Sequence, residues 1–216
     1  MATPRRSPYI WVTWVTGYLA ADDQCHWSAW FRAHFQHEKV GRTDGTLIKW
    51  KAEHGAMVNA RVAKLIADGW TVFTEAQNKF TLQGKVATLA GTPDIVAIRE
   101  QEGLVIDCKS GKPRDKDFWQ VCLYLLVLPL VHPACKDVRR LLGEVEYRDH
   151  ALTIQPEEFT LAMREAITAQ IHETGNPVPP PRTPSFRECL FCDIGRADCP
   201  DRIEKQEHQE VAHDLF

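Results

Sequence analysis

The stretch Gly91-Thr-Pro-Asp94-Ile-Val-Ala-Ile-Arg-Glu-Gln-Glu-Gly-Leu-Val-Ile-Asp107-Cys-Lys109-Ser-Gly-Lys112 limits the possible folds more than any other part of this chain. Two runs rich in β-branched residues flank a short polar segment with a glycine, the pattern of a hairpin. A two-residue turn at Gln101 and Glu102 would pair Glu100 with Gly103, set Asp107 opposite Val96 and set Lys109 opposite Asp94. Side chains alternate along a strand, so Asp94, Asp107 and Lys109 leave one face of the sheet. Carboxylate oxygens suit Mg²⁺ or Mn²⁺. Such an ion acidifies a bound water and stabilises charge on a phosphate under attack, and a nearby lysine can orient that water or neutralise the developing charge. A solvated hairpin with a cross-strand Asp/Lys pair has the same pattern, so the surroundings must decide.

Those surroundings are mixed. Residues 13 to 35 read as helical, with Tyr18, Trp27, Trp30 and Phe31 supplying apolar surface. Residues 45 to 68 form the clearest amphipathic helix, its stripe running Leu47, Trp50, His54, Val58, Arg61, Leu65 and its end marked by Asp68-Gly69. Short β-rich runs follow at 71–76, 79–82, 86–89, 95–99 and 104–109, separated by Gly84, Gly91 and Gly103. Phe118 to Leu128 is too long and apolar for most strands and is closed by Pro129, which predicts a buried helix. Strands near 139–147 and 150–154, then a helix from Pro156 to Thr174, complete a single α/β domain. Residues 175–184 are proline-rich and stiff, and 203–216 read as a loosely held helix or tail.

Composition narrows the class. Of 216 residues, 44% are hydrophobic and 25% charged, as in an ordinary globular domain. A net charge of −3 supplies no global field for nucleic acid, so any such contact must come from local groups such as Lys49, Lys51, Lys112, Arg114 and Lys116. Seven cysteines, mostly scattered, make a poor disulfide framework and fit a reducing, cytoplasmic setting. Arg5-Arg6 followed by an apolar stretch to Ala21 imitates a short export signal, but Pro8, two threonines and Gly17 weaken it. No segment has the length of a membrane span, so a membrane is not among the expected partners.

Gln120 and Tyr124 lie four apart, on one face of the helix after the lysine strand. With helical His54, Pro93-Asp94, Asp107-x-Lys109 and Gln120-x3-Tyr124, the chain resembles the PD-(D/E)xK nuclease superfamily, and specifically its RecB-like branch. The resemblance implies a central mixed β-sheet flanked by helices, with a nuclease core at about 45–155. It also implies that Asp94, Asp107, the backbone carbonyl of Cys108 and His54 hold Mg²⁺ or Mn²⁺. Lys109 would then act on the attacking water, and Gln120 and Tyr124 would contact DNA or support the site.

Near the C-terminus, Cys189-Leu-Phe-Cys192-Asp-Ile-Gly-Arg-Ala-Asp-Cys199 has the spacing of metal ligands but is one short. Several RecB-like nucleases, including the CRISPR-associated "Cas-four" and AddB-type groups, hold a 4Fe-4S cluster with one cysteine before the core and three after it. Cys25 occupies the corresponding place here, with His26 where the family has proline. The implied metallocluster joins segments at about 13–35 and 185–202, and such a long closed loop stabilises a fold. Four cysteines suit zinc equally, and His26 leaves a Cys3His zinc site open. The implied activity is an exonuclease on single-stranded DNA ends, with a helicase or a CRISPR-adaptation or recombination protein as partner. A zinc-stabilised restriction or repair endonuclease, and a non-catalytic DNA- or partner-binding module, are the alternatives.

Overall fold

The computed structural model describes residues 2–41 and 46–205. In chain order its elements are β1 (Thr3–Pro4), β2 (Tyr9–Trp11), α1 (Thr16–Leu19), α2 (His26–His34), β3 (Phe35–Gln36) and α3 (Thr46–Ala67). There follow β4 (Thr71–Thr74), β5 (Phe80–Gln83), β6 (Thr88–Gly91), β7 (Ile95–Arg99), β8 (Glu102–Lys109) and α4 (Asp115–Val131). The last are β9 (Arg140–Tyr147), β10 (Ala151–Ile154), α5 (Leu161–Gly175) and α6 (Phe186–Phe191).

A five-stranded sheet ordered β10-β9-β8-β7-β4 forms the centre. It is mixed: β8 and β9 run parallel, and the other neighbours antiparallel. Alternation along β7 and β8 divides their side chains between two layers. Ile95, Ala97, Leu104, Ile106 and Cys108 pack with Val58 and Leu65 of α3. Val96 and Val105 pack with Val121, Leu125 and Leu128 of α4 on the other side. Both faces are covered, which explains why β8 reads as an almost unbroken apolar run. A smaller sheet, β2-β6-β5, hands the chain to β7 through Thr92-Pro93-Asp94.

The hairpin turn lies one residue earlier than the expected Gln101-Glu102. Arg99 pairs with Glu102 and Ile95 with Ile106, so the turn is Glu100-Gln101, with Glu100 at φ 57°. Gly103 suggests a turn from sequence, but the structure uses it for packing. A Cβ there would lie 2.7 Å from Leu141 and 3.0 Å from Val138. The resulting shift in register is two residues, so every side chain keeps its face. Extending the ladder by one residue sets Asp94 directly opposite Asp107.

The expected helix at 13–35 is broken. After α1 the chain reverses at Ala21, with φ 56°, before α2 begins behind Cys25. No glycine marks that break, and the left-handed conformation costs an alanine about 1–2 kcal/mol. The signal-like N-terminal stretch is core: Ile10, Val12 and Val15 are fully buried, and β2 lies parallel to β6. α4 continues past Pro129 to Val131, although the proline has no N–H to offer the Leu125 carbonyl, and the His132 N–H closes the last turn on the Leu128 carbonyl. The helix expected from Pro156 starts at Leu161, capped by Thr160, whose side chain accepts from the Met163 N–H. Residues 176–185 carry no regular structure, in keeping with a stiff connector. Of the expected tail, 203–205 are not helical and the rest lies outside the described residues. No helix among the described residues is long and apolar enough to cross a membrane.

Candidate active site

Where β7 begins and β8 ends, Asp94 and Asp107 meet. The Asp94 Oδ2 accepts the Cys108 N–H at 2.7 Å, so the backbone of the edge residue anchors the first carboxylate. Asn78, fully buried, holds the approach to it: its amide Nδ2 donates to the carbonyls of Phe73, Pro93 and Asp94 at 2.9, 3.2 and 3.4 Å. Nothing in the sequence pattern singled out this asparagine. Cys108 turns its thiol to the α3 side of the sheet, and burial raises its pKa.

Asp107 is 2% exposed. The Lys109 Nζ stands 2.6 Å from its Oδ2, and the Gln120 Nε2 donates to its Oδ1 at 2.8 Å. The same glutamine accepts from the Lys109 Nζ at 2.9 Å and donates to the Tyr124 hydroxyl at 3.0 Å; that hydroxyl donates to the Thr92 carbonyl at 3.3 Å. One amide therefore orients an acid, an ammonium and a phenol together. Gln120 and Tyr124 can do this because they are successive turns of α4, on its sheet-facing side.

Burial pushes the Asp107 carboxyl up to about 6, with Lys109 opposing and Asp94 reinforcing the rise. Burial alone would lower the Lys109 ammonium, but the Asp107 carboxylate more than offsets it and leaves the lysine above its usual range. The two members of this ion pair thus respond to it differently. Burial wins at the acid, which is almost fully enclosed, and attraction wins at the longer, partly exposed lysine.

His54 comes from α3, on the opposite side of the sheet, and reaches around the strand ends. Its Nε2 lies 3.4 Å from the Asp94 Oδ1, and its Nδ1 is buried without a hydrogen-bond partner. The contact with Asp94 raises the imidazole pKa against the opposing effect of burial. Asp94, Asp107, Lys109, His54, Gln120 and Tyr124 are thus together, drawn from three elements and one loop. Among the described residues no three His, Cys, Asp or Glu side chains surround a single point as ligands of one ion. The acidic pair nevertheless fits a divalent cation. Asp107 is a buried carboxylate that Lys109 compensates only in part, and its neighbour Asp94 adds a second hard oxygen donor.

Away from this site, Cys25, Cys189, Cys192 and Cys199 line one cavity of about 710 Å³. The Glu188 Oε1 accepts the N–H groups of Gln24 and Cys25 at 2.7 and 2.9 Å, and Thr183 donates to the Gln24 carbonyl at 2.8 Å. Two thiols have donors facing them: Arg32 Nη2 stands 3.5 Å from the Cys192 Sγ, and the Ile203 N–H 3.4 Å from the Cys189 Sγ. His26 turns elsewhere, its Nδ1 lying 3.0 Å from Glu173 and its ring against Tyr18. Cys122 and Cys135 are buried in the main core, where burial raises their thiols to about 12 and about 11.

A family model described as the PD-(D/E)XK nuclease superfamily matches residues 18–199. Among solved structures, one titled "Crystal structure of SSO0001" is similar with a TM-score of 0.53 and 14% identity, covering 93% of this chain and 90% of that one. At that identity the likeness bears on the fold. No curated protein matches the sequence.

Proposed function

The chain belongs to the PD-(D/E)XK nuclease superfamily, and from that premise we propose that it is a metal-dependent DNA exonuclease acting on single-stranded ends. The observation that carries this reading is the joint placement of Asp94, Asp107 and Lys109 at one sheet end, with Gln120 bonded to two of them. Asp94 and Asp107 would hold Mg²⁺ or Mn²⁺, aided by the Cys108 carbonyl and His54. When bound, such an ion supplies an acidified water and offsets charge on the phosphate.

The protein's own groups do the remainder. Lys109 stays charged, so it serves as a donor to the attacking water or to a phosphate oxygen rather than as a base. Gln120 fixes that ammonium in position, and Tyr124 fixes Gln120. Exposed Lys112 and Arg114, on the loop after β8, give a strand's phosphates a local positive surface in a chain with no net positive charge. A helicase, or a protein of CRISPR adaptation or recombination, would present the strand.

We further propose that Cys25, Cys189, Cys192 and Cys199 hold a 4Fe-4S cluster. Four thiolates around one zinc at about 2.3 Å would stand roughly 3.8 Å apart. A 4Fe-4S cluster also takes four thiolates, and one cysteine before the core with three after it, all lining one cavity, is the arrangement that the resemblance to cluster-bearing RecB-like nucleases implies. His26 facing Glu173 disfavours a Cys3His site.

Oxygen-free purification, a visible absorbance spectrum and Mn²⁺-dependent digestion of end-labelled linear and circular single strands test both parts. The expected result is a brown protein that degrades linear strands and leaves circles intact, with Asp107→Ala inactive. Unchanged activity in Asp107→Ala would overturn the acidic site. A colourless, zinc-containing protein would overturn the cluster, and cleavage of circles would overturn the exonuclease assignment.

A further inference from the structure

The apolar stripe of α3 does not end where the sheet ends. Val58 and Leu65 are buried against β7 and β8, with Met57 and Val62 packed beside them. One and two turns earlier on the same face come His54 and Trp50. His54 reaches Asp94, whereas Trp50 remains 48% exposed. Its indole lies nearly parallel to the His54 imidazole, with ring centroids 5.3 Å apart and planes 13° from each other. One face of the indole is thus against a side chain of the candidate site and the other is open to solvent.

An open indole is a large apolar surface to leave in water. Exposed Lys49 and Lys51 adjoin it along the helix, and the Lys49 Nζ, 3.9 Å from Glu53, shares that carboxylate with Arg148. An exposed aromatic face with basic side chains on the neighbouring faces of the same helix matches the chemistry of a nucleotide, in which a π-surface hangs from a phosphate.

Resting on the nuclease reading, we propose that the free face of Trp50 stacks a nucleobase of the bound strand beside the scissile phosphate. The ligand class is a strand whose base is unpaired and has an uncovered face, because bases inside a duplex are covered on both sides by their neighbours. Trp50 is then a substrate-positioning residue. It reads no sequence, since every base has a π-face, but it demands that a base be present.

The test uses the whole protein with Mn²⁺ and single-stranded oligonucleotides carrying one abasic residue at each position around the cleaved bond. For the wild type, one abasic position should raise KM by about 5- to 100-fold, the range of one aromatic stack. Trp50→Ala should raise KM on the intact strand by a similar factor and lose nothing further at that position, whereas Trp50→Phe should retain most of the discrimination. This non-additivity identifies a shared contact. If the abasic and Trp50→Ala losses multiply, or if Trp50→Ala lowers only kcat and does so equally on all strands, the stack is refuted and Trp50 merely steadies His54. Failure of the wild type to cut any strand would instead overturn the nuclease reading, and this inference with it.

Discussion

Asp107 is where burial and charge conflict most. Its pKa in the fold, about 6, lies above the roughly 3.9 of an unfolded chain. The folded state therefore holds this proton more tightly than the unfolded one. The ionised carboxylate costs stability above pH 6, and the cost is relieved as pH falls from 6 towards 4. In chelator-treated protein, Asp107→Asn should accordingly be more stable than wild type by about 1–3 kcal/mol at pH 8. Urea unfolding should show the difference vanishing near pH 4; an advantage that persists there would contradict the raised pKa. Asn78 presents a different case, a buried amide whose Nδ2 is fully used while its Oδ1 has no hydrogen-bond partner. Asn78→Ala would take a donor from the carbonyls of Phe73 and Pro93, while the Asp94 carbonyl keeps the Glu75 N–H at 3.2 Å, and should cost about 1–3 kcal/mol in urea unfolding. Because the lost bonds position Asp94, metal-dependent cleavage should fall as well.

Between elements, contact with the sheet is made differently on its two faces. α4 approaches β9 closely enough that a Cβ on Gly143 would lie 2.5 Å from Val121. Gly143→Ala should destabilise the fold by about 1–3 kcal/mol, measured as a fall in urea midpoint with unchanged slope. α3 instead ties itself to β9 through Arg61, whose guanidinium meets Glu144 at 2.7 Å and Glu146 at 3.5 Å. Both Arg61 and Glu144 are largely enclosed, so Arg61→Ala leaves a buried acid unpaired and should cost about 3–5 kcal/mol by the same assay. The stripe of α3 was readable because helical periodicity records which face is buried. Arg61 within that stripe was also readable, but not its partners, since β9 is about 80 residues away along the chain. The same limit hid β2. Parallel pairing with β6 depends on the path of the whole N-terminal segment, and three residues carry no period of their own.

Across the whole molecule, the segment around Cys25 and the segment around Cys189 to Cys199 are brought together. Glu188 accepts two N–H groups, those of Gln24 and Cys25, and Arg32 pairs with Asp193 at 2.8 Å, so contacts other than the thiols already hold these two segments. A metal group on the four cysteines would close a loop longer than 100 residues, worth about 4–5 kcal/mol of unfolded-state entropy. Cys199→Ser in protein purified without oxygen should therefore lower Tm by about 10 °C or more and bleach any visible absorbance. An unchanged Tm and spectrum would mean that the thiols carry no group.

Sequence alone determined the chemistry that the chain has available and the face from which it emerges. Strand alternation has a period of two, so even a hairpin register wrong by two residues leaves Asp94, Asp107 and Lys109 on the same side. The Gln120 and Tyr124 pairing was likewise local, set by one turn of a helix. Only the tertiary structure decided what those groups meet. His54 reaches Asp94 around the strand ends, Asn78 locks the loop before Asp94, and Trp50 is left exposed beside His54. Each of these depends on where one element stops relative to another, and that is settled by packing between distant segments rather than by any local pattern.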